Sequence, residues 1–151
     1  MADEYEQKKR NNNIVVRGLM PNTDPKASTI AMINGRLGIH MTENDIRYAM
    51  KIDLKNEKEG TDSVKISFFD ERLKEEVYGR RIRLKGTDIY ISEDLTLKQS
   101  TLAFEARQYA RSKPNSTTWT SDGTIFLKDA IEEKPRIIRC SADIDQNKPT
   151  K

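Results

Sequence analysis

The order in which two kinds of apolar spacing follow one another along residues 14–91 constrains this chain more than any other feature. Ile14-Val15-Val16-Arg17-Gly18-Leu19 is a compact β-branched run closed by a glycine, and it reads as a central strand. Asp24-Pro25 then offers a capping carboxylate and a proline at the first helical position, where its missing N–H costs nothing. Ala27, Ile30, Ile33 and Leu37 continue at helical spacing, and Gly38 can end the helix. Thr42-Glu43-Asn44-Asp45 has the form of a capping box opening a single helical turn. Ile46 to Leu54 reads as a second strand, with Ile46, Tyr48, Met50 and Ile52 expected on one face and Arg47, Ala49 and Lys51 on the other. A charged loop over 56–62 leads to Ser63–Phe68, where Val64, Ile66 and Phe68 share a face. Asp70 can cap a second helix, with Phe69, Leu73 and Val77 as its apolar stripe and Gly79 at its end.

Arg81-Ile82-Arg83-Leu84-Lys85 alternates cleanly, so it is expected to run extended with Ile82 and Leu84 inward and three cations outward. Gly86-Thr87-Asp88 would turn it, as a small hairpin, into the strand Ile89-Tyr90-Ile91-Ser92. The order is strand, helix, strand, strand, helix, strand. That is the split βαβ pattern of a ferredoxin-like sheet with both helices on one face, leaving the other face for a ligand. The expected fold class is therefore α+β.

At Glu93-Asp94 the pattern changes again. Thr96-Leu97-Lys98-Gln99 is a second capping box, and Leu102, Ala106 and Tyr109 form the buried stripe of a helix running to about Lys113. Thr117–Thr120 and Thr124–Leu127 flank Ser121-Asp122-Gly123, and Asp-Gly supplies the positive φ that a tight hairpin demands. Arg136–Arg139 is a further short strand candidate. The expected organisation is an arm or coiled-coil end over 1–12, a ferredoxin-like domain over 13–93, a small helix-plus-β-hairpin domain over 94–140, and a polar tail over 141–151.

Charged residues make up 34% of the chain, yet the net charge is only +3, so nucleic-acid binding has to be argued from local clustering. Cys140 is the sole cysteine, which excludes an intramolecular disulfide or a cysteine zinc site. His40 is the sole histidine and no serine or cysteine signature surrounds it, so nucleophilic catalysis has no support. Asp70, Glu71, Glu75 and Glu76 read as a solvated helix face, and no phosphate loop is present; neither a metal nor a cofactor is expected. No apolar run approaches the ~20 residues of a membrane span, and the first ten residues are polar, so a soluble intracellular protein is expected.

Arg80, Arg81, Arg83 and Lys85 place four cations within six residues and are the first candidates for phosphate contact. The competing reading is an edge kept basic against strand-to-strand aggregation. Arg107 and Arg111 lie one helical turn apart, off the apolar stripe. Lys9, Arg10 and Arg17 flank the first strand and could close over a bound chain, and Lys65 and Lys128 lie on strands. Trp119 can stack a base, although a lone tryptophan in a short hairpin more often anchors a small core.

Four stretches carry a family likeness: Lys9–Leu19, Thr42–Ile46, Lys85–Thr96 and Trp119–Lys128. In this order they resemble the first-open-reading-frame proteins of LINE-type retrotransposons and the related few-polyhedra proteins of baculoviruses. The resemblance implies an RNA-recognition-motif domain followed by a small C-terminal domain. It implies binding and chaperoning of single-stranded RNA, or single-stranded DNA, in a cytoplasmic or nuclear retrotransposon ribonucleoprotein. It also implies a homotrimer through an upstream coiled coil, which is not in this chain unless Tyr5–Lys9 is its last turn. Two departures stand out. The strand positions where such motifs stack bases hold Val15, Ser63 and Lys65. The arginines that relatives carry early in the helix after the junction are replaced by Ser100, Thr101 and Ala103. A sheet without stacking aromatics is also free to hold a protein partner, which is the alternative reading.

Overall fold

The computed structural model of the chain describes residues 2–55 and 57–145. It is an α+β structure with two antiparallel sheets, and it divides into two compact units. One is Asn11–Asp94; the other combines residues 2–10 with 95–145.

The Asn11–Asp94 unit holds β1 (Asn13–Leu19), α2 (Pro25–Met32), β2 (Ile46–Ile52), β3 (Asp62–Phe68), α3 (Glu71–Gly79) and β4 (Tyr90–Glu93), while α1 (Ala2–Arg10) belongs to the other unit. The strands lie in the order β2-β3-β1-β4, and each neighbouring pair is antiparallel. Ile14, Val16, Val64, Ile66, Phe68 and Ile91 point to one face of the sheet. There they meet Met32 of α2, Ile33 and Leu37 of the π-helical turn that extends α2, and Val77 of α3. Both helices thus cover the same face. The Asp24 carboxylate accepts from the Ala27 N–H at 3.1 Å, and the Asp70 carboxylate from the Arg72 N–H at 2.9 Å, so both expected caps form.

Two irregularities shape this sheet. In β1 the pairing with β3 slips between Val16 and Leu19 at Gly18, whose φ is +85°. A Cβ on Gly18 would sit 2.0 Å from the Asp88 carbonyl oxygen, so the close approach of the two backbones needs glycine. In β2, Ile46 pairs with Phe68 but Tyr48 pairs with Ser67, so one residue, Arg47, is extra on the β2 side. The β-bulge reverses the alternation expected for this strand. Ile46 is buried, and beyond the bulge it is Ala49 that packs on the core while Tyr48 and Met50 face outward.

Two further expectations are corrected. Arg81–Leu84 is not extended: it forms a 3₁₀ turn, with the Arg83 and Lys85 N–H groups donating to the Arg80 and Ile82 carbonyls. Leu84 is buried in the core, but Ile82 is 75% exposed. Two apolar residues are too short a pattern to distinguish a strand from a tight turn that closes its own hydrogen bonds. Phe69 is likewise 58% exposed rather than part of the α3 stripe, with the Arg47 guanidinium 5.5 Å over its ring.

The second unit contains α1, α4 (Leu97–Ser112), β5 (Thr117–Ser121), β6 (Thr124–Lys128) and β7 (Arg136–Ile138). Leu102, Ala103 and Ala106 of α4 pack on Ile125, Leu127 and Ile138 of a β5-β6-β7 sheet. The hairpin expected from sequence thus carries a third strand. Asp122 and Gly123 both have positive φ, 49° and 79°, which is the two-residue turn that the Asp-Gly pair favours. Ile144, expected in a polar tail, is 6% exposed and completes this core. Residues 146–151 of that tail, and Asn56 of the charged loop, lie outside the described residues.

Helix α1 is fastened to this unit through the side chains of Gln7 and Asp3. Gln7 is buried, and its Oε1 accepts from the Thr96 N–H at 2.9 Å, satisfying a backbone donor at the start of α4. The Asp3 carboxylate accepts from the Thr96 hydroxyl at 3.2 Å, and that hydroxyl caps α4 by accepting from the Gln99 N–H at 3.2 Å.

Candidate nucleic-acid interface

One face of the Asn11–Asp94 sheet carries neither α2 nor α3. Alternation places Asn13, Val15 and Arg17 of β1 on it, with Ser63, Lys65 and Ser67 of β3. The β2 bulge adds Tyr48 and Met50, and β4 adds Tyr90 and Ser92. Tyr48 is 37% exposed, Met50 49% and Tyr90 67%. Tyr90 pairs directly with Arg17, and Met50 with Lys65. The three central positions read as non-aromatic from sequence, Val15, Ser63 and Lys65, are on this face. The aromatics stand instead on the two edge strands, β2 and β4.

The middle of the face is mostly polar and closed to solvent: Asn13, Val15, Ser63 and Ser67 are all buried, and the Ser63 hydroxyl has no hydrogen-bond partner among the described residues. The Asp94 carboxylate is buried; it accepts from Asn13 Nδ2 at 3.0 Å and pairs with Lys65 Nζ at 3.2 Å. Lys65 is therefore neutralised by an acid of its own unit and cannot offer a full charge to an external phosphate. Arg17 makes no ion pair among the described residues. Beside it a cleft is lined by Arg17, Gly18, Glu57, Lys58, Asp88 and Tyr90, in which Lys58 is paired with Asp88 at 2.7 Å.

The basic cluster of Arg80, Arg81, Arg83 and Lys85 is mostly committed to the fold. Arg80 donates to the Leu37 and Gly38 carbonyls at 3.0 and 3.2 Å and pairs with Glu76 at 3.2 Å. Arg83 donates to the same Leu37 carbonyl at 2.7 Å. These carbonyls end the α2 π-turn, where acceptors are left over and positive charge is favoured. The Arg81 guanidinium lies 3.8 Å over the Tyr78 ring and donates to the Tyr78 carbonyl at 2.8 Å. Lys85 alone of the four is exposed without a partner among the described residues.

In the other unit, Arg107 and Arg111 share a helical stripe with Phe104, which is 50% exposed, and the Arg107 guanidinium lies 5.9 Å over the Phe104 ring. Leu97, two turns before Phe104, is 84% exposed. Lys9 is 4.5 Å over the Tyr5 ring and 3.6 Å from Glu6, while Arg10 ends α1. Trp119 is not a core residue. It is half-buried on the face of the small sheet opposite Ile125 and Leu127, stacked on Phe126 with ring centroids 5.7 Å apart. Lys128 ends β6 opposite Thr117.

One polar cluster of this unit is structural. Asp129 pairs with Arg136 at 2.7 Å and accepts from the Tyr109 hydroxyl at 2.8 Å, and Arg136 also donates to the Asp143 and Ile144 carbonyls. The Arg136 guanidinium, helped by the Tyr109 hydroxyl, holds the Asp129 carboxyl below its ordinary range. Asp129 in turn raises Arg136.

Tyr48 and Met50 were the residues that sequence reasoning put on the wrong face, because no residue in Ile46–Ile52 marks the bulge. Phe126 was missed as a partner of Trp119, although the two-residue Asp122-Gly123 turn fixes Trp119 opposite Phe126 once it is accepted as the turn. No protein-family model matches the chain, and no curated protein matches it in sequence. No helix among the described residues is long and apolar enough to cross a membrane.

Proposed function

We propose that the chain is a non-catalytic, single-stranded nucleic-acid-binding module whose principal contact is the helix-free face of the Asn11–Asp94 sheet. The observation that carries this reading is the exposure of Tyr48 and Met50 on β2 and of Tyr90 on β4, the two edge strands of that face, whose central positions Asn13, Val15, Ser63 and Ser67 are buried. Isolated apolar residues on a surface mean little, but two aromatics and a methionine exposed along the edges of one sheet face mark a contact surface. Bases stack on tyrosine rings at about 1–3 kcal/mol each, irrespective of sequence.

The strand order β2-β3-β1-β4 with both helices on one side supports an RNA-recognition-motif reading of the ferredoxin-like type. The aromatics sit on the edge strands rather than on the central pair, so the strand would cross the sheet between Tyr48 and Tyr90. Arg17 and Lys85 are the cations best placed to neutralise phosphates, since Arg80, Arg81, Arg83 and Lys65 have partners of their own. The resemblance to LINE-type retrotransposon proteins supports RNA as the natural ligand. It also supports a ribonucleoprotein role, nucleic-acid chaperoning and a trimer formed through an upstream coil.

The neutralisation of Lys65 by Asp94 favours a second reading, in which the same face holds a protein partner. Gel-shift titrations with single-stranded RNA, single-stranded DNA and duplex at two salt concentrations separate the two. Binding to single strands that weakens with salt supports the proposal; no binding to any of the three at low salt sinks it.

A further inference from the structure

The pairing register of the small sheet lines up Trp119, Phe126 and Ile137 in one row across β5, β6 and β7. Ile125 and Leu127, which flank Phe126 along β6, are fully buried in the core with α4, so the row lies on the opposite face. Trp119 and Phe126 are nearly parallel, 14° apart in plane. Both are half-buried, and Ile137 is 39% exposed. Thr117 and Lys128 form the next pair along the same face on one side, and Ser121 and Thr124 on the other. The apolar row is thus bordered by three hydroxyls and an ammonium, with no carboxylate at any of these positions. Lys128 has no ion-pair partner among the described residues.

A protein core would gain nothing from this composition, because the row adds no contact to Leu102, Ala106 or Ile138 on the other side of the sheet. Flat rings fixed by mutual stacking, next to an unpaired cation and small hydroxyl donors, match a nucleotide chemically. The base meets the rings and the phosphate meets the charge.

We infer that the Trp119–Phe126–Ile137 face of the β5-β6-β7 sheet is a stacking platform for single-stranded nucleic acid, with Lys128 holding the phosphate beside the stacked base. The inference rests on the nucleic-acid reading above and adds to it a contact in the second unit. Because every base has a π-face, the platform discriminates single strand from duplex and not one sequence from another.

Trp119 is the chain's one tryptophan, so its emission reports this face and nothing else. The test titrates the full chain into end-labelled oligouridylate at low salt, following label anisotropy and tryptophan emission together. Both signals are expected to move with one midpoint. Trp119→Ala is expected to weaken the anisotropy-detected binding about five- to a hundredfold. Because that variant also removes packing against Phe126, Lys128→Gln, which leaves the stacked pair intact, is the second arm. It is expected to weaken binding several-fold and to flatten the salt dependence. Anisotropy that rises while tryptophan emission stays constant overturns the platform and leaves the proposed function standing. If neither signal moves, both fall. Emission that follows protein concentration and ignores RNA assigns the face to a second copy of the chain and overturns the inference.

Discussion

Lys74 and Glu93 form an ion pair of 2.7 Å in which both side chains are sealed from solvent, at 1% and 3% exposure. The pair joins α3 to β4 on the helix-covered side of the sheet. Burying two charges costs several kcal/mol each, and their attraction offsets this only while both are present. Lys74→Met strands a carboxylate in the interior, and an equilibrium denaturation should show a loss of about 3–5 kcal/mol. The double variant Lys74→Met/Glu93→Leu removes both charges and should recover most of that loss. A double variant as unstable as the single one would show that the pair does more than compensate itself.

Tyr90 is 67% exposed, so its removal tests binding without testing the fold, whereas the Tyr48 hydroxyl also accepts from Asn13 Nδ2 at 3.5 Å. Tyr48→Ala and Tyr90→Ala should each weaken single-stranded RNA binding by about 1–3 kcal/mol. Thermal melting of Tyr90→Ala should be unchanged within the scatter expected of surface substitutions, about 0.5 kcal/mol, while Tyr48→Ala also gives up its bond to Asn13. Isothermal calorimetry on the two variants measures the first quantity and a circular-dichroism melt the second.

Arg83 and Lys85, two residues apart, should separate stability from affinity. Arg83→Ala removes one of the two guanidinium donors to the Leu37 carbonyl, leaving Arg80, and should cost about 1 kcal/mol of stability. Lys85→Ala has no bond to lose and should leave the melt alone. If Lys85 meets phosphate, its loss lowers the slope of log affinity against log salt by about 0.7. Identical effects from the two substitutions would contradict this division.

Asp129 gives the small unit an acid-sensitive joint. Its carboxyl is held below the ordinary range by Arg136 and by the Tyr109 hydroxyl, so the folded state binds its proton more weakly than the unfolded state. The stabilisation is complete above the ordinary carboxylate pKa and is lost as pH falls through the lower, folded value. Melting temperatures followed from about pH 6 to about pH 2 should fall, and Asp129→Asn should flatten part of that fall. A substituted chain with the same acid limb as the parent would place the titration elsewhere.

Much of the fold was legible because its periods are short and its caps are chemical. The β-branched run at Ile14–Leu19, the Asp24, Asp70 and Thr96 caps, and the Asp122-Gly123 turn each act over a few residues, and each formed. What failed depends on distant partners. The bulge at Arg47 exists because β2 must align Ile46 with Phe68 and Ala49 with Ile66, a fact about β3 that the β2 sequence does not contain. The cations of Arg80–Lys85 looked poised for an external anion because the carbonyls they serve lie more than forty residues earlier. Trp119 looked like a core anchor because a sequence shows size and hydrophobicity but not which side of a two-sided sheet α4 will cover.

Gln7 and Thr96 stand 89 residues apart along the chain, yet they share one compact unit. The Asn11–Asp94 unit is therefore an insertion: its two connections both lead into the same host. Tension applied to the ends of the polypeptide would load the host first, pulling α1 away from the Thr96 amide before the inserted sheet bears any force. An excision that joined Arg10 to Leu95 through a linker would keep the Gln7 and Asp3 bonds to Thr96 within the host, whereas trimming the chain back to Asn11 would remove both.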